Sequence, residues 1–110
     1  MQKMSLKKLN DLFSGNARAL LFVKSDHCHL CHKFEPIVYS LERKYHGDIR
    51  FFVSSDEEEV VAEAVAEQIN GVPSVILFKP DGYLVVPDPV EPDPHTWYTR
   101  EYIDNFLKEW

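Results

Sequence analysis

Cys28 and Cys31, the only two cysteines of the chain, stand two residues apart in the string His27-Cys28-His29-Leu30-Cys31-His32. Thiolates attack disulfides and bind soft metals, so the spacing admits two chemistries, reversible dithiol–disulfide exchange and metal ligation. A scaffold role is poorly served, because a bridge closing so short a loop restricts the unfolded chain little. If the pair opens a helix, free backbone N–H groups and the positive end of the helix dipole favour a thiolate at Cys28, while Cys31, one turn on, can reach back to close the bridge. Cys28 is then the attacking thiol and Cys31 the resolving one. Protonation of His27, His29 or His32 stabilises that thiolate further and makes the disulfide more oxidising, and Asp26 acts in the opposite sense. Of the three, His29 is the strongest candidate because it lies between the cysteines. Zinc is the alternative. A structural site takes four ligands, and the chain supplies one C-x-x-C half-site with imidazole neighbours and no second pair at zinc-finger spacing, which weakens this reading, although a dimer could share one ion between two copies.

Placing Cys28 at a helix start requires a strand before it and a helix after it. Ala19–Val23 is a continuous apolar run suited to a strand buried on both faces, and polar Lys24–His27 ends it. From Cys31 onward Phe34, Val38, Leu41 and Tyr45 follow helical spacing up to a stop at Gly47, with Pro36 inside the helix and expected to kink it. Upstream, Ser5 is a candidate N-cap for a helix carrying Leu6, Leu9, Leu12 and Phe13 on one side and ending at Gly15 and Asn16, although Lys7 and Lys8 oppose its dipole. Ile49–Val53 reads as a second buried strand. Asp56 then caps a helix with Glu57, Glu58 and Glu59 in its first turn and Val61, Ala62, Val65, Ala66 and Ile69 as its stripe, closed by Asn70 and Gly71. Val75–Phe78 and Tyr83–Val86 flank Lys79-Pro80-Asp81-Gly82, a turn that joins antiparallel strands. Pro87–Pro94 reads as a stiff, solvated loop whose acids exclude acidic partners or attract basic ones. Thr99 caps a last helix with Tyr102, Ile103, Phe106, Leu107 and Trp110 on one face. Phe34, Tyr45 and Tyr102 read as packing residues, His46 and His95 as surface ones, and Trp97 and Tyr98 have no periodic context that assigns them.

The balance of residues narrows the partners. The 110 residues suit one domain, and 45% hydrophobic with 27% charged residues is the ordinary globular proportion. Eighteen acids against twelve bases give a net charge of −6, which argues against binding nucleic acid through its phosphates. The longest apolar run falls far short of the roughly 18 residues of a membrane span. Met1–Phe13 has no apolar core of a signal peptide, so a cytoplasmic location is expected. No cofactor is called for.

With these residues in order, the chain resembles the thioredoxin superfamily. The resemblance is carried by Cys28-His29-Leu30-Cys31 after the first buried strand, Pro36 eight residues past Cys28, the run Ile37–Gly47, Gly71-Val72-Pro73-Ser74 before Val75–Phe78, and the hairpin turn; it spans roughly residues 19 to 86 and, more weakly, the last helix. It implies an α/β fold with a central mixed sheet of about four strands flanked by helices. It implies that Pro73 is a cis-proline beside the cysteines, that Val72 offers its backbone to an extended substrate, and that the activity is thiol–disulfide exchange with disulfide-containing proteins and an electron donor or acceptor; an adaptor that keeps the fold and uses the groove without turnover is the alternative, against which the intact cysteines speak. The chain departs from thioredoxins in having His29-Leu30 for their glycine-proline and His27 for their tryptophan, with Phe22 and Phe52 where they keep a buried acid and its lysine neighbour. A first strand has no counterpart, since Ser5–Phe13 reads as helix.

Overall fold

The apolar runs become the middle of a sheet. The computed structural model describes residues 1–14, 17–55 and 71–109, with backbone alone at 13 and 14. In order these form β1 (Gln2–Lys3), α1 (Leu6–Ser14), β2 (Arg18–Lys24), α2 (His29–Lys44), β3 (Ile49–Ser55), β4 (Ser74–Lys79), β5 (Gly82–Val85) and α3 (Arg100–Glu109). The sheet runs β1-β3-β2-β4-β5. β2 is parallel to β3 and antiparallel to β4, and β4 is antiparallel to β5. A strand with neighbours on both edges and helices on both faces has no solvent side, so every residue from Ala19 to Val23 is buried. Leu20 and Phe22 face the layer of α2 and α3, with Phe34, Val38, Leu41, Ile103 and Leu107. Ala19, Leu21 and Val23 face α1, with Leu9 and Leu12.

Two expectations are corrected. The sheet has five strands, because Gln2–Lys3 pairs in parallel with β3 in the register Gln2↔Phe52 and Lys3↔Val53. Two exposed residues offer no alternation to read, so this edge is invisible in the sequence. Within α1, Leu6 lies 37% exposed and leaves Leu9 and Leu12 to make the contact with the sheet. The helix expected over 56–70, the stop at Gly15 and Asn16, the Phe13 side chain and Trp110 lie outside the described residues.

Capping residues act where the sequence placed them. Ser5 Oγ accepts from Lys8 N at 3.2 Å, and Thr99 Oγ1 accepts from Tyr102 N at 3.1 Å. Past the end of α2, Gly47 adopts φ +89°, a conformation costly to any residue with a Cβ, and turns the chain into β3. α2 runs through Pro36, which has no N–H to offer the carbonyl of His32.

Asp104 joins α2 to α3. It sits among the apolar residues of α3, only 6% exposed, and accepts from Lys44 Nζ at 2.5 Å and from the Tyr45 hydroxyl, with Lys108 Nζ 3.7 Å away. Burial alone raises its pKa. The bonds from Lys44 and Tyr45 and the two ammonium charges outweigh burial and hold the carboxyl below its ordinary value. Burial and Asp104 together push the Tyr45 hydroxyl up to about 12. A depressed folded-state pKa contributes stability that is present above the unfolded value of about 3.9 and is lost as pH falls toward the folded one. Asp104→Asn is therefore expected to cost about 2 kcal/mol at pH 7, the scale of hydrogen bonds to a charged group. Urea titrations should show that deficit shrinking by pH 3, and an equal deficit at both pH values would refute the assignment.

Candidate functional site

The site begins where β2 runs out of apolar residues. Lys24 ends the strand, a turn over 25–28 follows, and Cys28 takes an extended conformation (φ −95°, ψ 108°) as the N-cap of α2. α2 thus starts at His29, before Cys31, because a sulfur takes the cap position: Cys28 Sγ accepts from Cys31 N at 3.0 Å. The two cysteines form a disulfide, with Cα atoms 5.2 Å apart. They are not equivalent. Cys28 is half-buried at the surface, whereas Cys31 is 1% exposed and belongs to the core against α3. Lys24 and Glu35 pair at 3.6 Å, tying the end of β2 to the helix one turn past Cys31.

Asp26, His27, His29 and His32 all lie exposed around the pair, so the histidine-rich string is its solvent rim. His32 Nε2 comes within 3.4 Å of the Asp26 carbonyl and closes the turn from outside. Leu30, also between the cysteines, is half-buried instead and faces a groove. The opposite wall includes Val72 and Pro73, whose shared peptide bond is cis, with Pro73 buried and Val72 half-buried. Sequence-distant residues thus meet beside the disulfide in a cavity of about 340 Å³. Phe22 and Phe52 are both completely buried, and Phe22 packs edge-on to Phe34 at 5.4 Å between ring centres. Among the described residues no three His, Cys, Asp or Glu side chains converge as a metal ion requires.

Sequence reasoning missed the third wall. The loop Pro87–Pro94, expected to be solvated, and the unassigned Trp97 and Tyr98 fold back on the groove, which Asp88, Trp97 and Tyr98 line. Asp93 and Trp97 exchange two backbone hydrogen bonds, of 3.0 and 2.9 Å, and Asp93 Oδ1 takes the N–H groups of His95 and Thr96. Those bonds, that from His95 first, hold the Asp93 carboxyl below its ordinary value. Trp97 consequently stands at φ +68°, a left-handed conformation rare for a bulky residue. Its indole Nε1 donates to Asp88 Oδ1 at 3.0 Å. Tyr98 is 1% exposed, 5.4 Å from the Phe34 ring and stacked on Tyr102, and the Tyr102 hydroxyl donates to the Pro87 carbonyl at 2.7 Å. Burial first, and then Asp88, push the Tyr98 hydroxyl well above its ordinary range. Contacts spaced nine residues apart in a proline-rich run follow neither helical nor strand periodicity, so no sequence signal marks them.

A cap sulfur at the surface, bonded to a buried one and flanked by a groove, can exchange disulfides with an extended chain. No protein-family model and no curated protein matches the sequence. Solved structures do match in shape. The oxidised mitochondrial thioredoxin 3 of Saccharomyces cerevisiae superposes with a TM-score of 0.75 at 16% identity, over 100% of this chain and 95% of that one. The J-Trx1 fragment of ERdj5 gives 0.74 at 13% identity, over 98% of this chain and 48% of that one. A chain solved for the thiol resolving mechanism of yeast mitochondrial 1-Cys peroxiredoxin via glutathione/thioredoxin systems gives 0.72 at 15%, over 100% and 95%. The chain therefore has the thioredoxin fold, with its C-x-x-C disulfide at the start of the second helix.

Proposed function

We propose that the chain is a thiol–disulfide oxidoreductase acting on protein disulfides, with Cys28 as nucleophile and Cys31 as resolving thiol. The observation that carries this reading is the asymmetry of the bonded pair, one sulfur at the surface on a helix N-cap and the other in the core. In the reducing direction the Cys28 thiolate attacks a substrate disulfide, its S–S bond breaks, and a mixed disulfide and one substrate thiolate form. Cys31, giving up its proton, then attacks Cys28 Sγ. The second substrate sulfur leaves as thiolate, and two electrons have passed from the chain to the substrate. No cofactor is needed, since sulfur carries the electrons, and a second dithiol or disulfide partner resets the pair. Val72 and Pro73 present the backbone against which the substrate extends, while His29, with His27, His32 and Asp26, sets the electrostatics around Cys28.

Equilibration across dithiol and glutathione buffers, acid quench and mass counting of alkylated thiols should reveal one reversible two-electron transition. A midpoint near about −270 mV marks a reductant and one near about −120 mV an oxidant. Cys31→Ser is expected to accumulate a covalent adduct with a substrate protein through Cys28. Thiols that never pair, or no adduct with a disulfide the wild type turns over, would overturn the reading.

A further inference from the structure

The groove beside the disulfide has a wall whose chemistry the exchange reaction does not use. Leu30, Val72 and Pro73 serve any extended substrate, but Asp88 and Trp97 come from the 87–98 loop and bring charge and an aromatic face. Asp88 is exposed, and the groups that face it, the Trp97 indole N–H and the Tyr98 hydroxyl, are neutral. Among the described residues no lysine, arginine or histidine pairs with it, so its negative charge is uncompensated. Glu91 and Asp93 follow on the same loop, His95 is its lone basic residue, and none of the three histidines around the cysteines lines the groove. Trp97 is half-buried and held in its left-handed conformation by the Asp93 bridge. Backbone outliers of this sort persist where the surroundings over-determine them, and here the result is a fixed indole whose N–H orients the carboxylate.

An indole face with a carboxylate at its edge suits a long apolar stem that ends in a cation. Arginine fits better than lysine, because its planar guanidinium stacks on aromatic faces and meets a carboxylate through two parallel hydrogen bonds. Resting on the exchange reading above, we propose that this subsite receives the residue flanking the reactive cysteine of the substrate and that Trp97 and Asp88 select a basic one, arginine ahead of lysine. The preferred substrates are thus disulfides in basic, extended segments, and the excess of six negative charges on the chain acts in the same direction at longer range.

The test uses the dithiothreitol-reduced, desalted full chain in single turnover. Substrates are cysteine peptides capped as mixed disulfides with 2-mercaptoethanol, differing only in an arginine, lysine, glutamine or glutamate beside the cysteine. Bis(2-hydroxyethyl) disulfide, neutral and without side chains, reports exchange alone. The arginine peptide is expected to react about five- to tenfold faster than the glutamate peptide at low salt, the scale of one exposed ion pair gained and one like-charge contact avoided. Half-molar salt and Asp88→Asn, whose side-chain oxygen can still accept the indole N–H, should each shrink that ratio, and Trp97→Ala should remove the preference for arginine over lysine. Equal rates for the four peptides, with the small disulfide still reduced, overturn the subsite and leave the exchange reading standing. Failure to reduce any of the five disulfides overturns the exchange reading and the subsite with it. The comparison of peptides on the wild-type chain decides the matter even if a variant misfolds.

Discussion

Cys28→Ser is expected to reduce disulfide exchange to the uncatalysed rate and to yield no covalent adduct with any substrate, in contrast to Cys31→Ser. Serine cannot form a sulfur–sulfur bond, and the remaining thiol of Cys31 lies 1% exposed in the core, where an incoming disulfide cannot line up with it. The two variants remove one sulfur each and break the same bridge, so any shared loss of stability cancels between them and the difference reports roles. Assay of both with one disulfide protein, followed by non-reducing electrophoresis and mass analysis, reads the result directly. An adduct in Cys28→Ser and none in Cys31→Ser would reverse the assignment, and adducts in both would make the pair interchangeable.

Phe34→Ala carries the largest expected effect on stability. The ring is completely buried on α2, edge-on to Phe22 at 5.4 Å and tilted against Tyr98 at 5.4 Å, so it joins the helix that holds the cysteines to the central strand and to the end of the groove loop. Emptying such a position costs about 3–5 kcal/mol, the lost transfer energy plus the cavity, against a total of about 5–15 kcal/mol for a domain. For a chain of this length the midpoint of thermal unfolding should fall by roughly 15–25 °C. Leu6→Ala, at a residue 37% exposed, should stay within about 0.5 kcal/mol and serves as the comparison. Calorimetry at one pH on the oxidised chains measures both, and a loss below about 1 kcal/mol in Phe34→Ala would show that the three rings do not share one packed core.

The parts of this fold that the sequence announced are those where one period or one cap acts alone. Ala19–Val23 is apolar without interruption because its strand lies between helix layers, and Phe34, Val38 and Leu41 repeat at helical spacing because one face of α2 is covered. Cys28 and Cys31 were legible for the same reason, being two positions on one turn. What escaped depends on contacts that no local period encodes. Gln2–Lys3 is held by the neighbouring β3 and has too few residues to alternate. Asp104 interrupts an apolar stripe and is tolerated there because Lys44 and Tyr45, sixty residues back on another helix, satisfy it. Trp97 and Asp88 meet across a loop whose shape comes from Asp93 accepting neighbouring N–H groups, and the proline-rich composition concealed that order.

The burial of Cys31 closes a thermodynamic cycle between folding and electron transfer. Unfolding the oxidised chain, reducing it and refolding it must sum to the free energy of reducing the native chain directly, so a core change that affects the two redox forms unequally moves the potential. For a two-electron couple the exchange rate is about 30 mV for each 1.4 kcal/mol of difference. Because Cys31 belongs to the same packed cluster as Phe34, Val38 and Leu77, those apolar side chains can tune the potential without touching either sulfur's proton. In this chain the hydrophobic core is itself part of the electrochemical cell.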